Sequence, residues 1–176
     1  MAKVNAKKQL KKQLKLETST SRTVFELLDG QREELEFKQV RPTEFTVTDS
    51  DFQLGTGIRV EIEIQNVDLV ATSKKLWPGQ EVRVRGGVHG QGEPIKAFAK
   101  VPANKTITAG VDAESFLYWV IETPDGTFHN EQPIHMKGLI KGLPPKDATF
   151  HSQDVVRIFD QEGNEAGTLY NCLQSN

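Results

Sequence analysis

The amino-acid sequence predicts a mainly β protein, an antiparallel β-sandwich preceded by a basic N-terminal arm, and three observations carry that prediction. Apolar and charged residues alternate with period two across Ile58–Ile64 and again within Glu81–Val88, which places alternate side chains on opposite faces of a strand. Clusters of Gly, Pro, Asn and Asp separate the apolar runs at strand-length intervals, as sandwiches and barrels require. The body contains no long amphipathic helix, which argues against a parallel α/β fold.

Taken in order, Met1–Leu16 is the arm. Leu10 and Leu14 sit at the spacing of one helical face, so a short helix is expected there. Like charges at Lys7/Lys11 and Lys8/Lys12 weaken it, so its order would require a partner. Glu17–Arg22 is a polar Thr/Ser run and reads as a linker, which gives residues 1–22 as arm and linker and 23–176 as the folded domain. Thr23–Leu28 and Gln31–Val40 flank Asp29-Gly30, whose tolerance of positive φ favours a tight hairpin turn. A helix over Gln31–Phe37 is the rival reading, on the propensity of Glu33, Glu34 and Glu36. In Ile58–Ile64 the apolar set is Ile58, Val60, Ile62 and Ile64. In Glu81–Val88, which follows the turn Trp77-Pro78-Gly79, Val82 and Val84 oppose Arg83 and Arg85. Ile95–Val101 and Phe116–Ile121 supply two more strands, and Pro124-Asp125-Gly126 turns the second back into Thr127–Asn130. The last hairpin is Val155–Phe159 with Ala166–Tyr170.

Composition bounds the function. The 176 residues are 36% hydrophobic and 26% charged, enough for one core. No run approaches the eighteen or so apolar residues that span a bilayer, and the basic start lacks a signal peptide's apolar block, so cytoplasmic synthesis without membrane attachment is expected. Cys172 is the single cysteine, which excludes an intrachain disulfide and a cysteine-built zinc site. Lys3, Lys7, Lys8, Lys11, Lys12 and Lys15 precede the first acid, so against a total charge of −2 the remainder carries −8. Such an arm would pair with an acidic protein surface or a neighbouring subunit, and secondarily with nucleic acid, non-specifically. It offers no arginine for base readout and no aromatic side chain for stacking.

Candidate chemistry is sparse. His129 and Glu131 share one face of a strand, and with His135 beyond the bend at Pro133 they form the one cluster of ligand-like chemistry, a two-histidine, one-carboxylate set. A solvated loop is the blander and favoured reading, so no metal and no cofactor are expected. Gly86–Gly92 lacks the Lys-Ser/Thr ending of a phosphate loop and opens no helix, which leaves a flexible connection. Ser115 and Ser152 lie in no nucleophile elbow and Cys172 has no histidine signature beside it, so no catalytic residue is assigned and an enzyme is not expected. Trp77 and Trp119 are the candidate contact aromatics, for a protein interface or for stacking against a sugar, against core packing as the usual role of such side chains.

The segments Leu76–Val84 and Val155–Asn164 resemble the turn-into-strand segments of immunoglobulin-like and fibronectin-like sandwich modules, a likeness spanning residues 44–172. The sandwich expected is therefore immunoglobulin-like or jelly-roll-like, although the paired cysteines of antibody domains are not matched. With its lysine-rich arm the plan also resembles phage and other virion accessory proteins, whose extended termini reach neighbouring subunits. The resemblance implies a non-catalytic structural protein, a homo-oligomer docking on a larger assembly such as a virion as an accessory, decoration or connector-type protein. A carbohydrate-binding module is the alternative, and a metal-dependent β-barrel enzyme built on His129, Glu131 and His135 a weaker one.

Overall fold

The computed structural model describes residues 11–48 and 58–176. Their strands, in chain order, are β1 (Lys11–Leu16), β2 (Thr20–Leu27), β3 (Arg32–Gln39), β4 (Thr43–Thr48), β5 (Ile58–Thr72), β6 (Glu81–Gly87), β7 (Ile95–Val101), β8 (Val111–Leu117), β9 (Val120–Thr123), β10 (Gly126–Asn130), β11 (Ile134–Ile140), β12 (Thr149–His151), β13 (Val156–Phe159) and β14 (Glu165–Ser175). The one described helical turn is the 3₁₀ segment Ile107–Ala109.

The pairing resolves these fourteen strands into a simpler object. Strands β3 and β4 run end to end along one edge of β5, and β6 and β7 run end to end along its other edge. The same holds for β1–β2, β8–β9, β10–β11 and β12–β13, because each half pairs with the corresponding half of its neighbour. Six bent staves, joined by the unbroken β5 and β14, make eight long strands in up-and-down order. The eighth, β14, pairs back onto β2 from Gly167↔Leu27 to Ser175↔Thr20 and closes the ring. The expected mainly β, antiparallel class is what forms. Closure makes it a barrel in which every connection joins neighbours, with no Greek-key crossing among the described strands.

Local chemistry explains the bends. Val60 and Ile62 of β5 turn inward and are buried, but past the shift in register at Glu44/Phe45 the buried set becomes Val67, Leu69 and Ala71, an odd-numbered series. One extra residue in the strand flips the phase. On the adjacent stave the same level is occupied by the glycine loop between β6 and β7. Gly87 has φ +67°, and a Cβ there would lie 2.2 Å from the Gln65 carbonyl oxygen. These glycines permit a close approach of backbone to backbone and so have a packing role beyond connection.

Several expectations are corrected here. Lys11–Leu16, placed in the arm and expected to be helical, is strand β1 and pairs with β4 over its whole length. Leu16 is buried in the core, and Lys15 pairs with Glu44 at 3.9 Å within the chain. The linker expected over Glu17–Arg22 is replaced from Thr20 onward by β2, with Ser21 and Thr23 facing inward and buried. The strand expected over Phe116–Ile121 breaks at Tyr118–Trp119, because Trp119 is pulled into the interior while the side chain of Asn130 bridges its backbone N–H to the Leu117 carbonyl. Lys3, Lys7 and Lys8 lie outside the described residues. The Asp29-Gly30 hairpin forms as expected, and the rival helix does not.

Candidate functional site

The two halves of the barrel differ in how their described residues fill them. At one end the chain turns at residues 28–31, 73–80, 124–125 and 160–164. Here the Glu33 carboxylate accepts hydrogen bonds from the Ser73 hydroxyl (2.7 Å) and from the backbone N–H groups of Lys74 (2.6 Å) and Leu76 (3.0 Å). Burial pushes its carboxyl up, but these donors outweigh that and hold it below the usual carboxylate value. The loop they fix carries Trp77, 5% exposed, whose indole N–H donates to Asp125 at 2.9 Å. Beneath it Phe25, Leu35, Phe37, Val82, Val84, Ile121, Ile158 and Leu169 fill the interior.

The other half is hollow. Ala97 on β7 and Ala113 on β8 face inward where larger side chains occur in the turn half, and a cavity of about 70 Å³ remains. Every one of the eight staves contributes to its wall, through Leu16, Phe45, Ile62, Ala97, Ala113, Ile140, Phe150 and Gln174 in stave order. An eight-stranded barrel is about wide enough to be filled by side chains or to hold one small ligand. The wall is mostly aliphatic and aromatic, with a few amides and hydroxyls (Thr43, Ser115, Gln174, Asn176) and one carboxylate residue, Glu114. Leu143 and Pro145, from the connection between β11 and β12, lie across it, and the side chain of Asn176 donates to the Pro145 carbonyl at 3.2 Å.

The residues singled out from sequence fall elsewhere. Trp77 and Trp119 are 5% and 2% exposed, so neither offers a contact surface or a sugar-stacking platform, and the carbohydrate-binding alternative loses its basis. His129 Nε2 and Glu131 Oε1 lie 3.8 Å apart near the break between β10 and β11. His135 is engaged separately: its Nε2 is 2.7 Å from Glu114 Oε1, its ring stacks on Phe116 at 4.6 Å, and its backbone N–H donates to Asp154. The three therefore do not converge, and among the described residues no group of three His, Cys, Asp or Glu side chains is placed to hold a metal ion. The metal-enzyme alternative is corrected on that geometry. Cys172 is buried against the Thr23 hydroxyl (3.4 Å), and burial pushes its thiol up to about 11. Of the lysines assigned to the arm, Lys12 and Lys15 are exposed on β1.

The cavity was missed in the sequence because its wall is built from single residues scattered between Leu16 and Asn176. The available signal was Ala97, Ala113 and Ser115, small residues at inward positions of β7 and β8.

No protein-family model matches the chain, and no curated protein is similar to it. Among solved structures, DynF from the dynemicin biosynthesis pathway of Micromonospora chersina is similar in fold, with a TM-score of 0.71 and 11% sequence identity over 93% of this chain and 83% of DynF. At that identity the likeness is one of fold alone. It overturns the expected virion or assembly role, because the matched fold is that of a biosynthetic-pathway protein and not of an arm-bearing virion accessory.

Proposed function

We propose that this protein binds a small, largely apolar organic molecule inside the hollow half of its barrel, as a component of a biosynthetic pathway. The observation that carries the reading is the apolar cavity walled by all eight staves. Support for the setting comes from the fold likeness to a protein of the dynemicin biosynthesis pathway. Concave, mostly apolar sites with a few polar groups are the usual form of small-molecule sites. The polar residues on this wall are the hydroxyls and amides of Thr43, Ser115, Gln174 and Asn176, which can orient a guest, and Glu114, whose carboxylate is paired with His135 and Lys100.

The test uses xenon and benzene, guests of the kind that enter dry apolar cavities. Added to the intact protein, they should shift the methyl NMR signals of Leu16, Ile62 and Ile140 and leave those of Val82 and Ile158 in place. Ala113→Leu, which adds three carbon atoms to the cavity wall, should abolish the shifts. Methyl signals that stay fixed at saturating xenon, or that move equally in Ala113→Leu, would refute the reading.

A further inference from the structure

A second, smaller cavity of about 30 Å³ lies next to the first and shares Thr43, Ile64 and Gln174 with it. It sits at the level where the staves bend, between the hollow half and the filled half, and its wall is more polar: Ser19, Ser21, Thr43 and Gln174 face Trp119 and Leu117. Trp119 is 2% exposed, and its indole N–H finds no acceptor among the described residues. The contrast with Trp77 is direct, since that indole donates to Asp125. A buried N–H without a partner is rare and unfavourable, so its position beside a cavity points to an occupant that accepts a hydrogen bond.

The neighbouring groups narrow the occupant further. Ser19 is already committed, donating to Asn176 Oδ1 at 3.1 Å and accepting from Gln174 Nε2 at 3.1 Å. The Thr43 oxygen accepts from Gln39 Nε2 at 2.8 Å, which leaves the Thr43 hydroxyl proton as a second donor toward the cavity. Neither cavity is lined by Lys, Arg or His. A carboxylate seated there would be a buried, uncompensated charge, which is strongly disfavoured.

Resting on the binding reading above, we infer that the two cavities form one amphipathic site whose guest is a neutral carbonyl compound. Its hydrocarbon part occupies the apolar chamber, and its carbonyl oxygen accepts from Trp119 Nε1–H, with the Thr43 hydroxyl as the second donor. Trp119 is thus assigned as a ligand-orienting residue.

A matched pair of probes separates this inference from the binding reading itself. Cyclopentane and cyclopentanone share a ring and differ in the carbonyl, and both are titrated into the intact protein under ¹⁵N-resolved NMR. The two indole N–H signals are assigned by Trp77→Phe and Trp119→Phe. Cyclopentanone should bind about three- to tenfold more tightly than cyclopentane, the range of one net hydrogen bond. It should also move the Trp119 indole proton downfield while leaving that of Trp77 in place, and Trp119→Phe should erase the preference. Cyclopentanecarboxylate at neutral pH should bind more weakly than the ketone.

Equal binding of ketone and alkane, an unmoved Trp119 indole signal, or tighter binding of the carboxylate would each overturn the inference while leaving an apolar-guest site intact. Failure of both neutral probes to bind would overturn the binding reading as well. The indole signal is read in the unaltered protein, so the test stands even where Trp119→Phe fails to fold.

Discussion

In the turn half of the barrel, Phe25, Leu35, Phe37, Val82, Val84, Ile121, Ile158 and Leu169 are at most 1% exposed and meet in a filled interior, with Phe37 lying between Phe25 (6.0 Å) and Trp119 (6.3 Å). In the other half Ala97 and Ala113 occupy inward positions, and a cavity of about 70 Å³ remains. The same ring of staves thus packs as a solid core at one end and as a container at the other. What separates them is side-chain volume at a few inward positions, together with the level at which each strand breaks. Under the proposed binding, stability and binding would fall to different ends of one molecule.

The largest expected effect tests the solid half. Phe37→Ala should lower unfolding free energy by about 3–5 kcal/mol in denaturant titration, whereas Ile62→Ala beside the cavity should fall near the low end of the roughly 2–5 kcal/mol range for such truncations. Equal costs would erase the distinction.

Next in size is the outer brace across the bend. The Asp68 side chain is 0% exposed and accepts hydrogen bonds from Arg83 (2.8 Å to each oxygen) and Arg41 (3.1 and 3.2 Å). Burial pushes its carboxyl up, but the two guanidinium groups outweigh that, and the net direction is down. Asp68→Asn should cost about 1.5–3 kcal/mol, the range for hydrogen bonds to a charged group. A carboxylate depressed in the folded state contributes stability that is present above its unfolded value, about 3.9, and is lost as pH falls through the folded one. The melting temperature should therefore drop below about pH 4. Glu33, lowered for a similar reason, should add to the drop, and Asp68→Asn should flatten it in thermal scans from pH 6 to pH 2.

A smaller effect sharpens the comparison by making one change in both halves. Ala113→Leu places its added carbons in the cavity and should raise stability by about 0.5–2 kcal/mol. Ala71→Leu adds the same atoms to the solid half and should cost about 1–3 kcal/mol. Two changes of the same sign would show that both halves are packed alike.

The smallest expected signal is chemical. With its thiol raised to about 11 by burial, Cys172 should carry roughly a thousandth of its population as thiolate at pH 8. Thiol-reactive dye should label it only after unfolding, and rapid native labelling would contradict its buried setting.

Much of the class and many of the strands were legible because they rest on local pattern. Ile95–Val101 was read with the bounds it has, and the Asp29-Gly30 turn formed where its chemistry placed it. The alternation from Ile58 seemed to stop at Ile64 because a bulge flips the phase there, so the second half of β5 went unread. Strand β11, with Ile134, Met136 and Ile140 inward and His135 and Lys137 outward, carried a readable alternation that the ligand-like spacing of His129, Glu131 and His135 masked. Strand β1 was hidden for another reason: a segment carrying exposed Lys12 and Lys15 looks like a solvated arm until a partner strand is known, and that partner, β4, lies some thirty residues away. The cavity could not be read at all, since it depends on which inward residues meet across the ring.

The breaks in the six bent staves fall at one height, and only β5 and β14 pass that height within continuous strands. A deformation of the hollow half consequently meets a seam where many of the cross-strand ladders are interrupted, and β5 and β14 are the strands that run through it. With a guest bound as proposed, this seam would let the hollow half adjust with little change to the packed interior of the filled half.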